Sequence, residues 1–362
     1  MATAGPELEV AKHYNTLEEK GLEARTQSRI FYLRNFNNWI KSMLIGEHLD
    51  KLRNEARERG ERNQQVMVLD LCCGKGGDLL KWKKGSIDYL VCADIAEVSL
   101  GQCQGRYKEM EERAKQERRP QKQFKAEFIH ADCSKVRLRD QYSNPDIQFD
   151  MTSCQFSLHY AFASKEQAEC MIRNACENLR PGGYFVGTIP DANRIVRFVE
   201  NKDGSSFENE VVSVHFNGPI NSLPLFGARF DFHLHEVVNC PEYLLYFPLL
   251  VEMLKKYDME LVYNKAFPEM VDELAGGRGK DLLARMQGLE AFPNDDDVQL
   301  MGVSVDEQYE SIKSKVAEIE QHEQQRQQGG RPRRPVKAGT LSKSEWEAAA
   351  MYRAFAFRKK TA

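Results

Sequence analysis

No stretch of this 362-residue chain approaches the roughly 20 consecutive apolar residues that a membrane span needs. The N-terminus also lacks the charged-then-apolar pattern of a secretory signal, so the expectation is a soluble intracellular protein. A basic excess is missing as well: 51 Lys and Arg face 54 Asp and Glu, for a formal net charge of −3. Gripping long nucleic acid through many phosphates needs such an excess, so nucleic-acid contact here is expected only in a local pocket. Paired cysteines are absent too. Nine cysteines, an odd number, are scattered without a Cys-x-x-Cys, which argues against a disulfide framework or zinc site and for reduced thiols. His233 and His235 share a strand face but have no third ligand at useful spacing, so no metal is expected.

What is present is a globular composition, 41% hydrophobic and 10% aromatic, on a chain long enough for a full core. After a flexible lead over 1–8, residues 9–58 read as helices with Phe31, Leu33, Phe36, Trp39, Ile40 and Leu44 on the apolar side. Strands are expected at 66–71, 89–94, 128–131, 149–156 and 184–189, the last following the turn Leu179-Arg-Pro-Gly-Gly183. Helical spacing over 97–118 and 166–179 lies between them. Strand–helix alternation at this period predicts a mostly parallel sheet with helices on both faces. From about residue 191 the pattern changes, and 210–216 and 228–234 alternate like antiparallel strands. A helix over 242–257, a strand over 259–265 and a charged, mainly helical stretch over 269–328 follow. A Gly/Pro linker over 329–335, a helix over 342–351 and a closing strand over 352–357 complete the chain.

The run from Val66 to Asp78 is the most informative. Val66, Val68, Leu69 and Leu71 stop abruptly at Gly74, Gly76 and Gly77, giving a buried strand, a tight loop and a helix. A P-loop would require a hydroxyl after the lysine, and Lys75 is followed by Gly76. A dinucleotide fingerprint would require glycine where Cys72 stands. An acid near the strand end suits S-adenosylmethionine, whose sulfonium is cationic; the plain alternative is an ordinary strand–helix turn. Asp94, 24 positions after Asp70, can accept from a ribose diol, or act as a helix N-terminal acid. Asp132 ends the third strand within reach of an adenine amino group, or serves as a cap. Gln155 and Phe156 end the fourth, and His159 and Tyr160 follow. Each signal is weak alone; together they favour an adenosine-type cofactor over coincidence.

Several longer segments carry a resemblance. They are Ser28-Arg-Ile-Phe-Tyr-Leu-Arg-Asn-Phe-Asn-Asn-Trp39, the run Val68–Lys84, Ser153-Cys-Gln-Phe156, His159-Tyr160 and Arg180–Phe185. Pro241-Glu242, Tyr246–Leu250 and Thr340-Leu-Ser-Lys-Ser-Glu-Trp-Glu347 complete the set. Across most of 9–360 the chain resembles the eukaryotic mRNA cap guanine-N7 methyltransferases. The resemblance implies an α/β fold: a Rossmann-like class I methyltransferase sheet, mostly parallel with the last strand antiparallel, and an inserted cap-binding and helical lobe. The expected organisation is one domain over 9–360. Its core spans 66–190, 242–268 and 340–358, with an antiparallel insertion over 205–240 and a charged helical lobe over 269–339.

The same resemblance implies that Lys41, Cys72, Asp94, Asp132, Gln155 and Tyr160 hold S-adenosylmethionine. It also implies that Asn37, Asn38, Lys75, Lys81, Arg106, His159, Glu242 and Tyr352 hold the capped RNA end. Cys72 departs from the family, which has glycine there; a β-carbon beside the cofactor is expected to lower affinity at worst. Residue chemistry adds that Glu242 can accept from both Watson–Crick donors of guanine and favour the charge that N7 methylation creates. The alternatives are a helix first-turn acid for Glu242, core packing for Tyr352 and solvated positions for Lys75, Lys81 and Arg106. Guanine N7 carries no proton, so methyl transfer to the terminal guanosine of the 5′–5′ triphosphate cap needs no general base. His159 and Glu242 are then positioning and electrostatic residues. Two rival functions stand beside this one: a small-molecule S-adenosylmethionine methyltransferase and a non-catalytic cap-binding scaffold. The family also implies a small activating protein on the 269–339 lobe, which otherwise reads as a solvated insertion. Further expectations are a nuclear location, importin and the transcription machinery as partners, and no membrane; the basic run Arg331–Lys337 suits nuclear import.

Overall fold

The computed structural model describes residues 6–16, 25–61, 64–116, 122–202, 204–294, 299–326 and 336–361. The first half of the chain runs α1 (Pro6–Thr16), α2 (Phe31–Glu58), β1 (Met67–Leu71), α3 (Leu79–Lys84), β2 (Tyr89–Asp94) and α4 (Glu97–Gln116). It continues through β3 (Lys125–His130), β4 (Phe149–Gln155), α5 (Lys165–Cys176), β5 (Leu179–Pro190) and α6 (Ala192–Glu200). There follow β6 (Ser206–Glu208), β7 (Val212–His215), β8 (Arg229–Leu234), β9 (Val238–Tyr243), α7 (Phe247–Lys255), β10 (Met259–Ala266), α8 (Phe267–Leu274) and α9 (Gly277–Arg285). Last come β11 (Glu290–Phe292), α10 (Val305–Arg326), β12 (Ala338–Thr340), α11 (Lys343–Ala350) and β13 (Tyr352–Lys359).

Seven strands form the central sheet in the order β10-β13-β5-β4-β1-β2-β3. The five strands β1 to β5 pair in parallel. β13 runs antiparallel to both of its neighbours, β5 and β10. Parallel strands covered by helices on both faces must be apolar on both faces. In β1, Val68 joins the buried cluster that holds α2 residues such as Leu33 and Trp39, while Leu69 and Leu71 join the one that holds Phe149 and the α5 residue Met171. Side-chain caps fix where helices begin. Ser164 accepts from Gln167 N, and Asp191 accepts from Asn193 N and Arg194 N. Ser342 and Glu345 form a capping box on α11, and buried Glu345 also accepts from Leu33 N, tying α11 to α2.

The structure corrects several expectations. Pro6 opens α1, so the lead expected over 1–8 is already helical from residue 6, and residues 1–5 lie outside the described residues. The third strand starts earlier, at Lys125. The turn expected at Leu179–Gly183 is an irregularity inside β5: pairing jumps from Phe149–Leu179 to Met151–Tyr184, and Gly182 takes φ +79°. The helix expected from residue 242 begins at Phe247, where Pro248 in its first turn sets the start. Glu242 lies instead on β9, paired with Phe230 of β8, and so belongs to the insertion and not to the core segment 242–268. β9 ends a four-stranded antiparallel sheet of order β6-β7-β8-β9, an edge position that tolerates Pro241. Neither α6 nor β6 was anticipated. In the charged lobe β11 pairs with β12, and Phe292 stacks on Tyr309 with centroids 5.6 Å apart. The linker 329–335, with most of the basic run, lies outside the described residues.

Candidate functional site

A cavity of ≈ 280 Å³ opens at the carboxyl ends of the parallel strands, the edge where α/β sheets bind ligands. Lys41, Cys72, Asp94, Asp132, Gln155 and Tyr160 all line it. Asp94, the last residue of β2, accepts from Gly74 N through Oδ2 and from Ala96 N through Oδ1, each at 2.7 Å. Burial pushes its carboxyl up, against the pull of those two amides. Asp132 Oδ1 takes both the Ser134 amide at 2.9 Å and the Ser134 hydroxyl at 2.6 Å. Gln155 donates to Ser153 Oγ at 3.0 Å and accepts from Thr188 Oγ1 at 3.1 Å, which locks its amide orientation.

The glycine loop follows β1. Gly76 takes φ +72°, and a Cβ there would meet Cys103 Sγ at 2.7 Å, so only glycine fits. Cys72 also adopts a left-handed backbone, φ +56°, a conformation uncommon for a side-chain-bearing residue. Its thiol interacts with Cys133 and Cys154, whereas that of Cys73 interacts with Cys92 and Cys103. The two neighbouring thiols therefore enter different clusters.

Asp78, a residue the sequence reading passed over, organises the loop's cationic side. Buried between two lysines, its Oδ1 lies 2.9 Å from Lys41 Nζ and 2.7 Å from Lys81 Nζ. Burial alone would raise its carboxyl, but the two ammonium groups bring it down to about 2. Burial pushes Lys81 down, and its Nζ also donates to Asn38 Oδ1 at 3.2 Å. Lys81 is thus a half-buried, partnered group and not a solvated helix-face lysine. Arg106 donates to the Lys75 carbonyl at 2.9 Å, bracing the loop from α4. On α2, Asn37 keeps its Oδ1 buried and without a hydrogen-bond partner.

The helix α1, whose place here the sequence does not show, walls the cavity with Val10 and Tyr14. Tyr14 OH and Tyr160 OH lie 3.3 Å apart, and Tyr160 OH donates to Glu242 Oε1 at 3.1 Å. Beyond Tyr160, His159 Nε2 approaches Glu242 Oε2 to 3.2 Å, both side chains almost fully buried. The pair is close but poorly aligned: both His159 ring nitrogens and Glu242 Oε2 lack a hydrogen-bond partner. Buried polar groups are seldom left so. Tyr352, at the start of β13, stacks on Phe267 with centroids 5.7 Å apart and meets Phe156 edge-on at 5.2 Å. Burial, then Glu242, pushes its phenol well up. The cofactor set is therefore gathered in one cavity. His159, Glu242 and Tyr352 lie beyond Tyr160; Lys75 is in the glycine loop, Arg106 braces its carbonyl, and Lys81 joins Asn38 beside Asp78, while Asn37 sits on α2.

The family model for the mRNA (guanine-N(7))-methyltransferase domain matches residues 2–360. The chain belongs to the mRNA cap guanine-N7 methyltransferase family. Its similarity to the Drosophila melanogaster mRNA cap guanine-N(7) methyltransferase is 44% identity, covering 97% of this chain and 76% of that protein. The Caenorhabditis elegans enzyme of the same name is 43% identical, over 97% and 87%. The Oryza sativa mRNA cap guanine-N(7) methyltransferase 1 is 35% identical, over 97% and 81%. The protein is accordingly an enzyme, an S-adenosylmethionine-dependent cap guanine-N7 methyltransferase, and capped mRNA fits as its substrate. The residues present fit the methyl donor. Two strand-end carboxylates, a fixed amide and the apolar walls Val10, Ile95 and Met171 suit an adenosyl group with an amino-acid tail. Among the described residues, no helix is long and apolar enough to cross a membrane.

Proposed function

We propose that this cap methyltransferase works by positioning and electrostatics alone, with His159 and Glu242 as the acceptor site and no general base. The observation that carries the reading is the buried His159–Glu242 pair, 3.2 Å apart with unpaired polar atoms, joined through Tyr160 to the donor cavity. Bound S-adenosylmethionine supplies an electrophilic methyl group on a cationic sulfonium. Lys41, Cys72, Asp94, Asp132, Gln155 and Tyr160 are its proposed holders. Glu242 accepts from the guanine Watson–Crick donors and stabilises the positive charge that develops on the base. His159 orients the base, and Asn37, Asn38, Lys75, Lys81, Arg106 and Tyr352 hold the rest of the capped end. Since N7 has a free lone pair, holding the reactants in attack geometry provides up to about 7–11 kcal/mol without proton transfer. The test is labelled methyl transfer to guanosine-capped RNA, with uncapped and adenosine-capped RNA as controls. Transfer to all three equally, or to none despite cap binding, overturns the reading.

A nuclear location follows from the family's place in mRNA capping, with importin and the transcription machinery as further proposed partners. The charged 269–339 lobe is the proposed dock for a small activating protein, supported by the exposed apolar residues Val303, Val305 and Ile319. Deleting 305–335 and finding full stimulation by such a protein would remove that role.

A further inference from the structure

Behind the glycine loop, three thiols from three segments converge. The Sγ atoms of Cys73 in the loop, Cys92 on β2 and Cys103 on α4 all lie within 4.8 Å of one another. Cys92 and Cys103 are fully enclosed, at 0% exposure. Three sulfurs bound at about 2.3 Å to one central atom stand about 3.5–4 Å apart, so the triangle needs to close by only about 1 Å.

Charge decides which atom suits it. Arg106, three residues along α4, faces Cys103 from one side. Asp70, Asp78 and Asp94 also interact electrostatically with it. Any net negative charge is costly in this enclosed, acid-lined interior. On three thiolates a monovalent ion leaves two negative charges, a divalent ion one, and a trivalent centre none. We propose that Cys73, Cys92 and Cys103 form a buried site for a thiophilic trivalent centre of the arsenous-acid type. Three As–S bonds form and three As–O bonds break. Each thiol hydrogen leaves with a hydroxyl as water, so three waters are released and nothing is oxidised or reduced.

Two features link this site to the donor cavity. Cys73 lines that cavity and offers a way in. A Cβ at Gly76 would come within 2.7 Å of Cys103 Sγ, so the loop lies against this thiol, and a centre bound there is expected to displace it. This linkage rests on the donor-site reading above; binding to the thiols does not.

The test uses the full chain, reduced and then freed of reductant, with one equivalent of sodium arsenite. Native mass spectrometry is expected to show one arsenic gained and three hydrogens lost. Alkylation mapping of the wild-type adduct is expected to show Cys73, Cys92 and Cys103 protected together, a readout that needs no variant. Cys92→Ala and Cys103→Ala should each weaken binding at least tenfold, while Cys154→Ala and Cys170→Ala bind as wild type, with circular dichroism confirming the fold. S-adenosylmethionine affinity should fall on arsenite loading, measured by equilibrium dialysis. No adduct, protection of other cysteines, or displacement by equimolar zinc overturns the proposal. An adduct at the three thiols with unchanged donor affinity would overturn only the linkage.

Discussion

Tyr160 donates its phenolic hydrogen to Glu242 Oε1 across 3.1 Å, joining a residue of the central cavity to a strand of the second sheet. With that hydrogen committed, the 3.3 Å contact to Tyr14 requires Tyr14 to be the donor. A chain of hydrogen bonds therefore leads from α1 through Tyr160 to the carboxylate proposed to meet the base.

Tyr160→Phe keeps the ring and removes the bond. A hydrogen bond to a charged group contributes about 1.5–3 kcal/mol, so kcat/KM for capped RNA should fall about 10- to 100-fold. Steady-state kinetics varying each substrate in turn check this; an unchanged kcat/KM would show that the bond does not orient Glu242.

Glu242→Gln preserves shape and removes charge. Activity should drop by about 10² or more, the scale seen when a preorganised electrostatic group is lost. The pH–rate profile should keep its shape between about pH 6 and 9, since no proton-transfer group is removed. A new acid limb, or rescue by added buffer base, would point to general-base catalysis.

Asp78→Asn leaves Lys41 and Lys81 without their shared carboxylate. The Asp78 carboxyl is lowered from 3.8 to about 2 in the fold. A depressed carboxyl stabilises above its unfolded value and loses that contribution as pH falls through its folded value. The gap in denaturant stability between wild type and variant should be on the order of 2 kcal/mol at neutral pH, from about 1.4 kcal/mol per pKa unit. It should persist to about pH 5 and shrink toward pH 2. Equilibrium unfolding at several pH values measures it, and a pH-independent gap would refute the ionic origin.

Cys72 occupies a left-handed position at φ +56°. Cys72→Gly should therefore change stability by no more than about 1 kcal/mol, relief of strain offsetting the lost packing around Cys133 and Cys154. Cys72→Val, β-branched at the same φ, should cost about 1–3 kcal/mol. Thermal melts of both variants against wild type decide this, and equal cost for the two would mean that backbone strain is absent.

The parallel strands were legible because a buried parallel strand is a short apolar run, and β2 was located from Tyr89 to Asp94 without error. The strand-end residues Asp94, Asp132 and Gln155 were legible for the same reason: sheet topology places them at one edge. Asp78 was not, because its meaning comes from Lys41, a partner 37 residues away on another helix. β9 was missed because Pro241-Glu242 has the look of a helix start, and only pairing with β8 makes it a strand. The Cys73, Cys92 and Cys103 cluster escaped a search for local ligand spacing, since β1–β2 pairing and the packing of α4 on β2 bring the three together. Most of α1 was legible within the helical stretch 9–58, but its place over the cavity depends on tertiary contacts with β9 and α4.

Glu242 stands on the outer strand of a separate four-stranded sheet, while the donor cavity is built at the edge of the central one. The proposed acceptor carboxylate and the proposed donor cavity thus come from different stretches of chain that meet at one phenol. On that proposal, substitutions around Glu242 alter acceptance of the base while the donor cavity stays constant, and Tyr160 is where a change on either side reaches the other.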